Sequence, residues 1–310
     1  MTDKPIVYFV VGPTASGKTA TAIRLAQCLD GEVVSADSMQ IYTGMDIGTA
    51  KPDMAERQGI VHHMIDVVAP DALYSAAQFQ QDAQTVIADM LQRGRVPIVA
   101  GGTGLYVHAL RYPMAFTETA ADRCIRAELA TWADAHTPAE LHDRLRQADP
   151  ERAARLHEND RKRILRALEV FHATGTPMSA YGQFEKLQPE SPYECRLLGM
   201  MWERADLYQR IEQRVEDMMA AGLLEEVRGL MKYDAGLPAM QALGYKELRM
   251  HLMGACTLSE AVTAVKQGTR RLAKRQMTWF RRDVDIQWMS YEDNIDIVER
   301  FLQQYKPFMP

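Results

Sequence analysis

Several scarcities narrow the reading of this sequence before any motif is considered. Four cysteines in 310 residues, at 28, 124, 195 and 256, form no Cys-x-x-Cys pair and no regular spacing. That excludes an encoded zinc site or disulfide framework and leaves reduced, structural thiols. No apolar run reaches membrane-spanning length. Ile6 to Val11 stops at Gly12, well short of the roughly 18 residues a span needs, and no cleavage-type small-residue pattern follows it. The run is expected to be a buried strand of a cytoplasmic protein. There is no internal repeat and no low-complexity tract, and the four tryptophans are too scattered to make one stacking platform. With 47% hydrophobic and 25% charged residues, the composition is that of an ordinary folded chain and not of a disordered, collagen-like or coiled-coil one.

Positive charge is also short overall, with 36 Lys and Arg against 41 Asp and Glu, a balance that by itself counts against a nucleic-acid partner. The deficit is uneven, however. Four basic residues fall within Arg161–Arg166 and seven within Lys266–Arg282, and neither stretch contains an acid. Basic residues at 266, 270 and 274, and at 271 and 275, repeat every four positions and so share helix faces. A solvated surface helix is the bland explanation. The lack of acids for i,i+4 pairing favours an anionic partner such as RNA instead.

Strand and helix signals alternate through the first third: IVYFVV (6–11), TATAIRLAQCL (19–29), EVVSAD (32–37), SAAQFQQDAQTVIADMLQRG (75–94) and VPIVAGG (96–102). Apolar strands separated by helices imply a parallel sheet covered on both faces. From about Ala120 the pattern is almost wholly helical, and a strand-like RLLGMMW (196–202) then returns. The expected architecture is α/β: a P-loop NTPase-like parallel sheet core flanked by helices, with a mostly helical insertion domain. Its parts are residues 1–110 (core, first part), 111–190 (insertion) and 191–310 (core, second part, with the basic helix). Consecutive strand residues point to opposite faces, so His62 and His63 do not readily share one metal ion. The nineteen methionines are mainly core filler, with some available to line an apolar tunnel.

Gly12-Pro13-Thr14-Ala15-Ser16-Gly17-Lys18-Thr19 fits G-x-x-x-x-G-K-[ST] in the strand-to-helix context the motif requires. Its backbone N–H groups and helix N-terminus suit phosphate oxygens, Lys18 neutralises the outer phosphate and Thr19 can hold Mg²⁺. The loop specifies a phosphate-bearing ligand, not ATP. Where many P-loop NTPases carry an acidic strand end, this chain has Gly101-Gly102-Thr103-Gly104, which weakens an NTPase reading. Asp37 should emerge on the same rim as the loop.

GPTASGKT, SADSMQIY, DIGTAKP, GGTGLY, ENDRKRILRALEV, ALGYKEL and TRRLAKRQMTWFR, spread over residues 12–282, together resemble the bacterial tRNA dimethylallyltransferases, the tRNA isopentenyltransferase family. The resemblance implies transfer of a dimethylallyl group from dimethylallyl diphosphate to N6 of the adenine 3′ to the anticodon, with release of diphosphate. It implies that Asp37 is the general base, and that Gly12 to Thr19 hold the diphosphate. It assigns a diphosphate contact and a catalytic role to Arg214 in RIEQRV, with Arg210 one helical turn away as the alternative, and a magnesium ion to Thr19. By position it also implies RNA contacts at Asp37, Ser38, Met39 and Gln40, at Thr103 and Arg126, at Arg161, Lys162, Arg163, Ile164, Leu165 and Arg166, at Gly244, Tyr245 and Lys246, and at Arg270, Lys274 and Arg275. The expected partners are tRNA, through its anticodon stem-loop, and the diphosphate donor, for a monomer with no membrane partner. A P-loop small-molecule kinase has no use for the two basic stretches. An adenylate isopentenyltransferase lacks a large insertion, and retention of Lys18, Thr19 and Asp37 argues against an RNA-binding module with a vestigial loop.

Overall fold

The computed structural model describes residues 4–112, 123–180, 190–290 and 296–305. They fall into two compact units, one from residues 1–111 with 191–310 and the other from 112–190.

The first unit is built on a six-stranded parallel sheet. Its strands are β1 (Ile6–Val11), β2 (Gly31–Ser35), β3 (His62–His63), β4 (Val96–Gly101), β5 (Glu194–Met201) and β6 (Gln287–Ser290), in the spatial order β3-β2-β4-β1-β5-β6. β1 is central because it is apolar on both faces. Val7, Phe9 and Val11 pack on one side with Phe79, Ile87, Met90 and Leu110, while Tyr8 and Val10 pack on the other with Leu25, Met200 and Phe301. The covering helices are α1 (Lys18–Leu29), α2 (Ala76–Gln92) and α3 (Gly104–Arg111). α2 starts on a capping box between Ser75 and Gln78, which satisfies two otherwise unpaired donors.

Register brings the strand ends to a common rim: Val11 lies beside both Gly101 and Gly199, and Ser35 beside Ala100. The loops that leave this rim are therefore neighbours although they are distant in sequence. β2 ends at Ser35, so Asp37 sits in the turn beyond the strand. The sequence pattern does not reveal β3 and β6. β3 has two residues and β6, QWMS, no sustained apolar run, and both are held by pairing at the sheet's edges. His62 and His63 have separate partners, the Ile60 carbonyl and the Glu32 carboxylate.

The second unit holds α4 (Arg123–Asp134), α5 (Pro138–Ala148), α6 (Pro150–Ala153) and α7 (Arg161–Thr174), around a core of Leu129, Leu141, Leu145, Ile164 and Leu168. Residues 113–122 and 181–189 of the expected insertion, and the side chain of Cys124, lie outside the described residues. The first unit continues with α8 (Arg204–Ala220), α9 (Leu223–Gly229), α10 (Tyr245–Leu252), α11 (Leu258–Phe280) and α12 (Ile297–Gln303). α11 begins eight residues before the basic stretch, at a Thr257–Glu260 capping box. Among the described residues no helix is long and apolar enough to cross a membrane.

Candidate active site

The loop Gly12–Lys18 joins β1 to α1. At Gly12 (φ 146°) a Cβ would lie 2.9 Å from the Met200 carbonyl of β5, so the close strand approach requires glycine. Ala15 is left-handed at φ 62°, a conformation that costs a non-glycine residue about 1–3 kcal/mol and persists where its surroundings over-determine it. Those surroundings are specific. The Ala15 methyl packs with Leu207, Ile211 and Ala273. Arg210 Nε donates to the Ala15 carbonyl at 2.9 Å, Trp202 Nε1 to the Ser16 carbonyl at 3.0 Å and Lys18 Nζ to the Pro13 carbonyl at 2.6 Å. The Thr14 N–H donates to Gln276 Oε1 at 2.8 Å. A left-handed turn braced in this way curls successive N–H groups into an anion-binding concavity.

The loop opens into a cavity of about 680 Å³. Thr14, Lys18, Thr19, Asp37, Thr103 and Arg214 line it on the polar side, and Ile211, Val215, Met218, Leu223 and Val265 supply apolar wall. Burial, and after it the field of Arg214, bring the Lys18 ammonium down to about 7, with Asp37 pulling the other way. Burial also lowers the Arg214 guanidinium from its ordinary value, opposed by Asp37 and Glu56. Arg214 makes no hydrogen bond or ion pair among the described residues, whereas Arg210 is engaged by Ala15 and stacks on Trp202 with its guanidinium carbon 4.2 Å from the ring centre. The two arginines left open by the sequence thus have different surroundings: Arg214 lines the cavity and Arg210 braces the loop.

The opposite rim is made by the turn after β2 and the glycine-rich turn after β4. Asp37 Oδ1 accepts the Met39 N–H at 2.9 Å, which orients the carboxylate, and Thr103 Oγ1 accepts the Ser38 N–H at 3.0 Å. Close packing explains the glycines of GGTG. A Cβ on Gly101 would lie 2.2 Å from the Ala36 carbonyl, one on Gly102 2.2 Å from Gln276 Nε2, and one on Gly104 2.2 Å from Trp279.

Several residues of the motifs, some of them expected to touch a ligand, instead hold the site's walls. Gln40 accepts from Ser35 Oγ and donates to the Thr49 and Ala50 carbonyls, so its amide is engaged within the protein. Lys51 of DIGTAKP is buried against the Tyr42 carbonyl, Asp46 and Asp66. Tyr245 is buried, its ring against Gly48 and its hydroxyl donating to Glu226 at 2.6 Å. Glu226 also accepts the N–H groups of Asp46, Ile47 and Gly48. Gln276, Trp202 and Glu226 were not legible as site residues, since a lone polar or aromatic residue on an amphipathic stretch carries no signal until its partner is placed. Gly244, at φ 95°, precedes α10 and donates its N–H to Glu247, and the exposed Lys246 lies 3.6 Å from the same carboxylate.

The basic stretches need correction. Acids absent from the stretches themselves come from other helices and from the flanking turns of α7. In the second unit Arg126 pairs with Glu169, which also takes Arg166, while Arg161 pairs with Asp134 and Arg163 with Asp160. Ile164 is fully buried in that unit's core, so its side chain is not offered to RNA, and the half-buried Leu165 packs against that core. Lys162 is exposed. On α11, Lys266 and Arg270 pair with Glu216 and Glu212 of α8. Arg271, Lys274 and Arg275 are exposed and make no ion pair among the described residues, and the first two also line a shallow depression of about 310 Å³ with Arg204 and Tyr208.

A protein-family model described as IPP transferase matches residues 40–283. Curated proteins named tRNA dimethylallyltransferase are similar over nearly the full length. The one from Geobacter sulfurreducens is 48% identical over 305 residues, covering 98% of this chain and 97% of that protein, and one from Moorella thermoacetica is 46% identical with 98% and 95% covered. Among solved structures, the tRNA isopentenylpyrophosphate transferase of Bacillus halodurans is similar with a TM-score of 0.71 and 40% identity, covering 98% and 96% of the two chains. A eukaryotic dimethylallyltransferase captured acting on tRNA gives a TM-score of 0.80 at 28% identity, covering 97% of this chain and 76% of that one.

Proposed function

The chain belongs to the IPP transferase family, and from that premise we propose that it transfers the dimethylallyl group of dimethylallyl diphosphate to N6 of the adenosine at position 37 of tRNA, on the 3′ side of the anticodon, releasing diphosphate. One observation carries the reading: Lys18, Thr19, Arg214 and Asp37 line a single cavity that also has an apolar wall of Ile211, Val215, Met218 and Leu223. Cations on one side suit a departing diphosphate, a carboxylate suits an incoming nucleophile, and the apolar wall suits a five-carbon chain.

The adenine N6 lone pair is delocalised into the ring, so attack is helped by a base that takes the proton as the new bond forms, an effect of about 10²–10⁴-fold. Asp37, held through Oδ1, is that base. N6 bonds to the allylic C1 while the C1–O bond breaks, and the bonding pair leaves with diphosphate. The growing negative charge meets Lys18, Arg214 and the loop's N–H groups, which are fixed before the reaction and so need no reorganisation. Unlike a kinase, which loses its terminal phosphate from such a loop, this site retains the whole leaving group.

Among the described residues no three His, Cys, Asp or Glu side chains converge as a ready cation cage. The Thr19 hydroxyl is a hard oxygen of the kind Mg²⁺ takes together with substrate phosphate oxygens and water. Thr19 would hold the ion, which would supply charge neutralisation on the diphosphate when bound. The proposed working unit is a monomer. Incubation with unmodified tRNA, Mg²⁺ and dimethylallyl diphosphate, followed by nucleoside mass analysis, should give adenosine heavier by C5H8. Phosphate transfer from ATP without RNA would replace this reading by that of a kinase.

A further inference from the structure

We propose that Gln276 is a positioning residue that fixes the distance between the leaving-group loop and the base. Its amide is used at both ends. Oε1 accepts the Thr14 N–H at 2.8 Å, and Nε2 donates to the Gly102 carbonyl at 3.0 Å. The approach is so close that a Cβ on Gly102 would lie 2.2 Å from Nε2. From Gly102 the chain passes to Thr103, whose hydroxyl accepts the Ser38 N–H next to Asp37 and whose own N–H donates to the Ala36 carbonyl. Thr14, Gln276, Gly102, Thr103 and Ser38 therefore form one continuous connection from the strained loop at Ala15 to Asp37.

Sheet register alone does not make this connection. Thr14 has left β1 and Thr103 has left β4, and strand pairing cannot set the separation of loops beyond the strand ends. A neutral amide suits the place because one end must accept and the other donate. A carboxylate has no donor, and an aliphatic chain has neither group. Gln276 reaches inward from α11 while the preceding Lys274 and Arg275 are exposed on the same helix. Gln267, Arg271 and Arg275 of the same helix also line the cavity, and Gln276 is the uncharged side chain that bridges its two reacting halves. A misplacement of about 1 Å at such a site can reduce a rate by about 10²-fold.

The inference rests on the prenyl-transfer reading for its kinetic arm and on geometry alone for its binding arm. Inorganic diphosphate with Mg²⁺, titrated calorimetrically, should bind Gln276→Ala about tenfold more weakly than the unsubstituted protein, the size expected for one half-buried hydrogen bond with its partner left unpaired. At saturating donor and tRNA the single-turnover rate should fall by about 10²-fold, with donor KM raised much less and the melting temperature little changed. Gln276→Glu supplies the second readout. Its ionised form keeps the acceptor but turns an oxygen lone pair toward the Gly102 carbonyl, and its protonated form restores a donor. Diphosphate affinity relative to the unsubstituted protein should therefore recover as pH falls from 6 to 4, through the ordinary range of a glutamic acid, about 4.3. Unchanged affinity and rate in Gln276→Ala, or a Gln276→Glu ratio that does not move with pH, would overturn the proposal. If the unsubstituted protein binds diphosphate but prenylates no tRNA, the functional reading fails and the binding arm still decides the role of Gln276.

Discussion

Arg214 helps hold Lys18 near neutrality: after burial, the guanidinium's field is the strongest influence on the Lys18 ammonium and takes it down to about 7. Two cations that disfavour one another become compatible once a polyanion lies between them. Diphosphate should raise the Lys18 value, so binding above pH 7 draws a proton from solution, and affinity should fall as pH rises from 7 to 9. In Arg214→Met burial still lowers the lysine but the guanidinium's share is gone, so more of it is protonated before diphosphate binds. Its proton uptake should be smaller than in the unsubstituted protein, and its affinity lower. Calorimetry in two buffers of different ionisation enthalpy checks both; equal uptake in the two proteins would show that Arg214 does not act on Lys18.

Asp37 and Lys18 occupy opposite sides of the cavity's chemistry and should separate kinetically. Asp37→Asn keeps an oxygen for the Met39 N–H and loses the proton acceptor. The single-turnover rate should fall by about 10²–10⁴-fold, with donor affinity changed far less than in Lys18→Ala. Lys18→Ala should lose both rate and donor affinity. Loss of donor affinity in Asp37→Asn as severe as in Lys18→Ala would remove the base from Asp37.

The cations of α11 differ in their surroundings, so their effects on RNA should differ. Lys274 and Arg275 are exposed and without an ion pair among the described residues, whereas Lys266 and Arg270 face Glu216 and Glu212. Replacing Lys274 and Arg275 together by alanine should weaken tRNA binding and flatten the log–log salt dependence by about two units, since each cation that neutralises a phosphate adds about one. The matching pair Lys266→Ala with Arg270→Ala should change the slope much less. Affinities measured over a series of salt concentrations are sufficient, and equal slopes for both double variants would return the helix to a solvated surface.

Arg126 has a stability role within its own unit. Burial would raise the Glu169 carboxyl, but hydrogen bonds and charge from Arg126 and then Arg166 outweigh it and hold the carboxyl below its ordinary value. The depressed carboxylate contributes stability that is complete above its unfolded value, near 4.5, and is lost as pH falls through the folded one. Arg126→Ala should cost the helical unit about 1–2 kcal/mol at pH 7, after allowance for the exposure of the arginine. It should also reduce that unit's sensitivity to acid. Hydrogen exchange in α4 and α7 as a function of pH reads both, and unchanged protection at pH 7 would show that Arg166 alone satisfies Glu169.

The sequence by itself determined the phosphate loop, the parallel α/β core and the two basic stretches, because each is written in local pattern. A strand, a glycine-rich turn and a helix follow one another at Ile6–Leu29, and periodicity marks the apolar faces. It did not determine β3 and β6, whose few residues become strands through pairing with neighbours already in place. Nor could it decide which cations are available. A stretch without acids looks unpaired along the chain, yet Glu212, Glu216 and Asp134 reach Arg270, Lys266 and Arg161 from other helices. Tertiary structure also distinguished Arg214 from Arg210, one turn apart on α8, by placing the first at the cavity and the second on the Ala15 carbonyl. The same holds for Gln276, which is 262 residues from Thr14 and acquires its meaning from the distance between two strand ends.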